Sequence, residues 1–146
     1  MIDTSKPARK NPLFPRRRAI VSTVATERYY PMALAMGYSL KATNDIAAQH
    51  AEMVLFVRKA ANLSETALNR LRTIGWKLRI EDDIVIDGLS LNDTIEFRRY
   101  NLNKIRFWSW TEYDQILFID ADILVKGDLS EVWNVPGSKF PTLNEG

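Results

Sequence analysis

Four short segments recur along this chain, apolar runs at residues 19–25, 52–57 and 115–119 and, at 76–80, an alternation of Trp76, Leu78 and Ile80 with Lys77 and Arg79, each separated from the next by more residues than a hairpin uses. They are rich in β-branched or aromatic side chains and too short for ordinary buried helices, so each reads as a strand. Between the first two, Pro31 suits a first helical turn and Met32, Met36 and Leu40 recur at i, i+4 and i+8. Between the second and third, Ser64 can cap a helix carrying Leu68, Leu71 and Ile74, which Gly75 ends. A further helix is expected from about Leu102 to Thr111, with Ile105 and Trp108 on one side, whereas residues 82–94 give no assignment. Strand and helix in alternation predict an α/β layer structure around a mostly parallel sheet.

Composition narrows the partners. The 146 residues, 46% hydrophobic, suffice for one core, and a net charge of +2 gives no uniform field toward nucleic acid or an anionic membrane. No cysteine is present, which excludes disulfides, thiolate metal sites and a thiol nucleophile. No apolar run approaches the roughly 20 residues of a membrane helix, and the first residues lack the apolar stretch of a signal peptide, so the chain as written reads as cytoplasmic. Residues 1–18 carry Lys6, Arg9, Lys10, Arg16, Arg17 and Arg18 against Asp3, with Pro7, Pro12 and Pro15 interleaved. They predict a basic, flexible arm before a single domain over 19–146, a solvated tail rather than a phosphate or lipid-headgroup contact.

The last strand ends in Asp120-Ala121-Asp122. In an extended segment, side chains at i and i+2 point the same way, so the two carboxylates can converge with only the small Ala121 between them. Like charges so placed call for a cation, and carboxylate oxygens suit Mn²⁺ or Mg²⁺ with water and substrate phosphates completing the shell. Ligands of parallel sheets sit beyond the carboxyl ends of the strands, where these residues fall. The alternative is a pair of water-facing turn residues.

Tyr113 to Val125, including Ile119-Asp120-Ala121-Asp122, together with Asn101 to Trp110 just before it, resembles the nucleotide-sugar half of family 8 glycosyltransferases, the group of glycogenin and the plant xylan glucuronosyltransferases. Residues 19–43 and 60–80 resemble that family's opening units, and the likeness spans about 19–133. It implies a Rossmann-like GT-A fold and metal-dependent, retaining transfer of a glucose- or glucuronate-type hexosyl group from a UDP-sugar to a glycan or protein acceptor. Asp120 and Asp122, with Ala121 between them, align with the segment that holds metal and diphosphate. Lys104 aligns with the family's lysine beside the donor, a catalytic position where a cation offsets phosphate or sugar-oxygen charge. Thr23, Val24, Thr26 and Tyr29 fall where the family holds uridine, through strand-end backbone groups and an aromatic face; packing at the helix start is the other role open to Tyr29 and Tyr30.

The family places a histidine ligand and its acceptor-side residues later in the chain, and the one histidine here, His50, precedes the second strand and reads as a loop residue. The expectation is therefore the donor half of a longer domain, incomplete at its carboxyl end, with an exposed last strand, Val132 and Trp133 uncovered, and marginal stability. Cytosolic and Golgi membrane members both occur in the family, so an anchor outside this chain would move it to the Golgi. Oligomeric state is left open. Two rivals use the same residues: a nucleotide-sugar-binding chain without activity, and a haloacid-dehalogenase-type phosphatase with Asp120 as nucleophile.

Overall fold

A computed structural model of the chain describes residues 16–84 and 103–135. In order they form β1 (Arg18–Val24), α1 (Tyr30–Thr43), β2 (Ala51–Arg58), α2 (Glu65–Ile74), β3 (Lys77–Glu81), a 3-10 segment (Asn103–Ser109), β4 (Gln115–Phe118) and a second 3-10 turn (Ser130–Asn134). The strands are all parallel, in the order β3-β2-β1-β4, with α1 and α2 as crossovers. This is the expected α/β sheet, consistent with a Rossmann-like GT-A fold.

Alternation along the strands sorts their side chains onto two faces. Ile20 and Val24 of β1, with Met53, Leu55 and Val57 of β2, face the helices and pack with Ala33, Met36, Leu40, Leu71, Ile74 and Trp76. The Met36 and Leu40 stripe lies in this core with no exposed surface. A Cβ on Gly37 would come within 2.6 Å of the Trp76 Nε1 and 2.8 Å of the Ile74 Cγ2. Glycine thus lets the indole lie against α1, where its N–H donates to the Ala33 carbonyl at 3.0 Å. Trp76 precedes β3 rather than opening it, and Ile80, expected to alternate inward, is exposed.

The opposite face, carrying Ala19, Val21, Val54 and Phe56, is covered by Phe107, Trp110 and Tyr113. The helix expected over 102–111 is a 3-10 segment, and its turns run on: the Trp110 N–H donates to the Phe107 carbonyl at 3.1 Å and the Tyr113 N–H to Trp110 at 3.4 Å. With three residues per turn, Lys104, Phe107, Trp110 and Tyr113 fall in one row. Trp108, expected on the apolar side, is consequently 76% exposed.

The amino-terminal edge corrects two further expectations. Arg18 is the first residue of β1, donating to Gln115 Oε1 and to the Gln49 carbonyl, each at 3.0 Å, with its guanidinium 5.3 Å from the Trp133 ring. Arg17 accepts from the Asp114 N–H at 2.7 Å, so the last residues of the supposed arm are tied to the sheet; residues 1–15 lie outside the described residues. Trp133, expected to be uncovered, is only 4% exposed and donates its indole N–H to Gln49 Oε1 at 2.9 Å. Gln49 in turn donates to Asn44 Oδ1 at 3.0 Å, and Asn44 donates to the Gly127 carbonyl at 3.1 Å. Buried amides are costly without partners, and here each partners the next. Among the described residues β4 is an edge strand, as expected, with its four residues half-buried.

Candidate functional site

Thr23, Ala25, Tyr29, Phe56, Arg58, Asn103, Lys104, Asp120, Ala121 and Asp122 line a pocket of about 360 Å³ at the carboxyl-terminal ends of β1, β2 and β4. The strands build it by continuing their own alternation. Thr23 pairs in register with Phe56, and Val21 with Phe118, so these side chains lie on the face covered by the 3-10 segment. Thr23 is the last such residue of β1 before the chain leaves the sheet. Val24 points the other way and has no exposed surface, so it can offer a ligand only its backbone. Thr26 does not line the pocket; its carbonyl accepts from the Tyr29 N–H at 3.0 Å and closes the turn that aims Tyr29. Tyr29 both lines the pocket and packs against the helix-side core, whereas Tyr30 only packs.

Asp120 and Asp122 reach the pocket by a different backbone route from the extended one. β4 ends at Phe118, and the Ile123 N–H donates to the Asp120 carbonyl at 3.2 Å, closing a turn over 120–123. Both carboxylates are exposed and Ala121 is buried beneath them. The residue between them must therefore be small, as the sequence suggested, though the reason is a turn folded onto the sheet end.

Lys104 stands across from this turn. Its ammonium lies 3.4 Å from Asp120 Oδ1 and 4.7 Å from the Phe118 ring centroid. The lysine begins the 3-10 row whose Phe107 stacks on Phe118 at 5.5 Å, so aromatic packing sets where the charge stands. An ion pair this exposed contributes about 0–1 kcal/mol, small enough to be exchanged for a stronger anionic partner.

Arg58 and Asn103 were not singled out from the sequence. Arg58 ends β2, and its Nε donates to both oxygens of Asp83 at 2.7 and 2.9 Å. Asn103, 2% exposed, donates to Asp83 Oδ1 at 3.0 Å and accepts from the Ile84 N–H at 3.0 Å. The strand-end rule that found Asp120 also points to Arg58; Asn103 stands next to Lys104 but acts through a partner 20 residues away.

Among the described residues, no group of three or more His, Cys, Asp or Glu side chains converges on one point. The donor set is Asp120 with Asp122, two hard oxygen ligands at the open mouth of a pocket. That fits Mn²⁺ or Mg²⁺, ions that take one or two carboxylates and leave other positions to water and phosphate. His50 is exposed at the opposite edge, where its carbonyl accepts from the Arg18 N–H. A wider depression of about 970 Å³ at that edge includes Lys41, Asp45, Glu52 and Lys77, and contains none of the site residues expected from sequence. Among the described residues no helix is long and apolar enough to cross a membrane.

Comparison with known proteins matches residues 20–141 to the glycosyl transferase family 8 model. The chain is 32% identical over 123 residues to UDP-glucuronate:xylan alpha-glucuronosyltransferase 2 of Arabidopsis thaliana, covering 84% of this chain and 19% of that protein. It is 31% identical over 78 residues to UDP-glucuronate:xylan alpha-glucuronosyltransferase 1 of the same plant, covering 51% of this chain and 11% of the relative. The chain thus spans a fifth or less of the length of these two relatives.

Proposed function

Because the chain belongs to glycosyl transferase family 8, and is to that extent a glycosyltransferase sequence, we propose that it forms the donor side of an enzyme transferring a glucosyl- or glucuronosyl-type group, with retention, from a UDP-sugar. The observation that carries this reading is that one pocket gathers Thr23, Tyr29, Lys104, Asp120, Ala121 and Asp122 from parts of the chain about 100 residues apart. Family membership sets aside the phosphatase reading of Asp120.

Each residue then has a physical task. Thr23 and the backbone at the end of β1 meet the uridine, and Tyr29 offers its ring face. Asp120 and Asp122 would hold a divalent ion, Mn²⁺ or Mg²⁺, which when bound supplies Lewis-acid neutralisation of the diphosphate as the sugar departs. Ala121 keeps the floor of the turn low enough for phosphate oxygens to approach. Lys104 exchanges its weak pairing with Asp120 for the diphosphate or a sugar oxygen, a fixed positive charge where negative charge grows. The acceptor is a glycan or protein whose own contacts come from elsewhere in the enzyme.

Calorimetric titration of UDP into the full chain, with and without Mn²⁺, tests the proposal. Binding is expected to strengthen with Mn²⁺ in the unsubstituted chain and to lose that dependence in Asp122→Asn. UDP binding indifferent both to Mn²⁺ and to that substitution would remove the mechanism. UDP-sugar hydrolysis or transfer, assayed next, separates an active enzyme from a nucleotide-sugar-binding chain.

A further inference from the structure

On the face covered by the 3-10 segment, alternation carries Val54, Phe56 and Arg58 along β2, Val21 and Thr23 along β1, and Phe118 along β4, after which the turn over 120–123 brings Asp120 and Asp122 to the same pocket. The pocket is therefore a trough across the strand ends, from Arg58 over Thr23 to Asp120 and Asp122. Neighbouring strands lie about 4.8 Å apart, so its two ends are separated by roughly 10 Å. A diphosphate at the aspartates and a ribose over Thr23 and Tyr29 leave the base pointing toward β2.

Arg58 is built to be rigid there. Asp83 grips the Nε edge of its guanidinium with both oxygens, and the nearly inaccessible Asn103 fixes Asp83. The Arg58 side chain is only 15% exposed, so little of its plane is left to water. Asp83 also balances its charge, which makes it a poorer attractor of phosphate than Lys104 and a better directional donor.

We infer that Arg58 reads the base of the bound nucleotide, donating from its guanidinium to the C4 carbonyl of uracil, with Asp83 and Asn103 as positioning residues. The inference rests on the donor reading above. A guanidinium has only donors. Uracil presents a carbonyl at C4 where cytosine presents an amino group, itself a donor, so the same arginine that accepts one ring rejects the other.

Affinities of UDP, CDP and inorganic pyrophosphate for the full chain, each with Mn²⁺, decide the matter in the unsubstituted protein, Arg58→Met and Asp83→Asn. The unsubstituted chain is expected to prefer UDP over CDP by about tenfold to a hundredfold, the value of one hydrogen bond to a charged group. Arg58→Met should bring that ratio near one while pyrophosphate binding stays within about twofold, and Asp83→Asn should lower the ratio by a smaller factor. Because the ratio is taken on one preparation, it does not depend on the fraction folded, and pyrophosphate reports that the aspartate end is intact. Equal weakening of all three ligands would make Arg58 a phosphate contact and overturn the inference, as would an unchanged ratio. UDP that fails to bind the unsubstituted chain would overturn the donor reading as well.

Discussion

On one face of the sheet, α1 and α2 bury Met36, Leu40, Leu71, Ile74 and Trp76 against β1 and β2; on the other, a single run of 3-10 turns lays Phe107, Trp110 and Tyr113 across the same strands. The first cover is thick and mostly aliphatic, with the indoles of Trp76 and Trp133 and the rings of Tyr29 and Tyr30 packed into it. The second is thin and ringed by cations on aromatic faces: Arg79 lies 4.0 Å from the Trp110 centroid and Arg106 5.0 Å from Phe56. Both covers bury apolar side chains, worth about 1.5–3 kcal/mol each when large, but among the described residues thirteen buried residues form the helix-side cluster against seven on the other face, and cation–π contacts add only about 0.5–1 kcal/mol each at exposed sites. Stability should therefore concentrate on the helix side. The thin side ends in charged groups at the pocket, where replacement should change binding more than folding.

The largest expected effect tests the thick cover. Trp76→Ala should cost about 3–5 kcal/mol in urea denaturation, because it empties a large buried site and removes the indole's hydrogen bond to the Ala33 carbonyl. A midpoint close to that of the unsubstituted chain would mean the helix side does not dominate. Gly37→Ala follows at about 1–3 kcal/mol, since the added methyl must displace the indole ring 2.6 Å away. The same experiment on Asp122→Asn should move stability by no more than about 0.5 kcal/mol, while its loss of Mn²⁺-dependent UDP affinity, about tenfold, corresponds to about 1.4 kcal/mol of binding.

The smallest effect lies at the far end of the thin face, where the Tyr113 hydroxyl donates to Glu52 Oε2 at 2.6 Å. Burial, then the bond to Glu52, pushes the Tyr113 phenol up to about 12, and the same bond holds the Glu52 carboxyl below its ordinary range. A raised phenol contributes stability that is complete below its unfolded value near 10.0 and is lost as pH climbs through about 12. The depressed carboxyl contributes above its ordinary 4.5 and loses that contribution as pH falls below it. Denaturation midpoints of the unsubstituted chain and Tyr113→Phe should converge by the alkaline limit and differ near neutrality. A constant offset from pH 7 to 12 would show that the hydroxyl's pairing is not what titrates.

The thick face was also the more legible in the sequence. Met36 and Leu40, the Ser64 cap and the apolar strands announce themselves within short windows, and the Ser64 hydroxyl does accept from the Ala67 N–H at 3.1 Å. Phe107, Trp110 and Tyr113 recur every third residue, a period that signals 3-10 turns and defeats a helix reading based on Ile105 and Trp108. Asp120 and Asp122 were recognisable from chemistry alone, although the turn that presents them was not. Arg58, Asn103 and the burial of Trp133 depend on partners 25, 20 and 84 residues distant, and local patterns carry no trace of such pairings.

The order of the strands sets a schedule for synthesis. β1 is flanked by β2, which follows it closely, and by β4, whose Gln115 pairs with Arg18 across 97 residues. As the chain leaves the ribosome, β1, α1, β2, α2 and β3 can assemble while one side of β1 still shows unpaired amide and carbonyl groups. Closing that gap is slow, because strands so distant in sequence must be brought together before their pairing repays the entropy lost. Until then the strand that ends at Val24 is an open template, exposed to pairing with another chain. Nascent chains halted before and after residue 118 should therefore differ sharply in protease resistance and in chaperone occupancy.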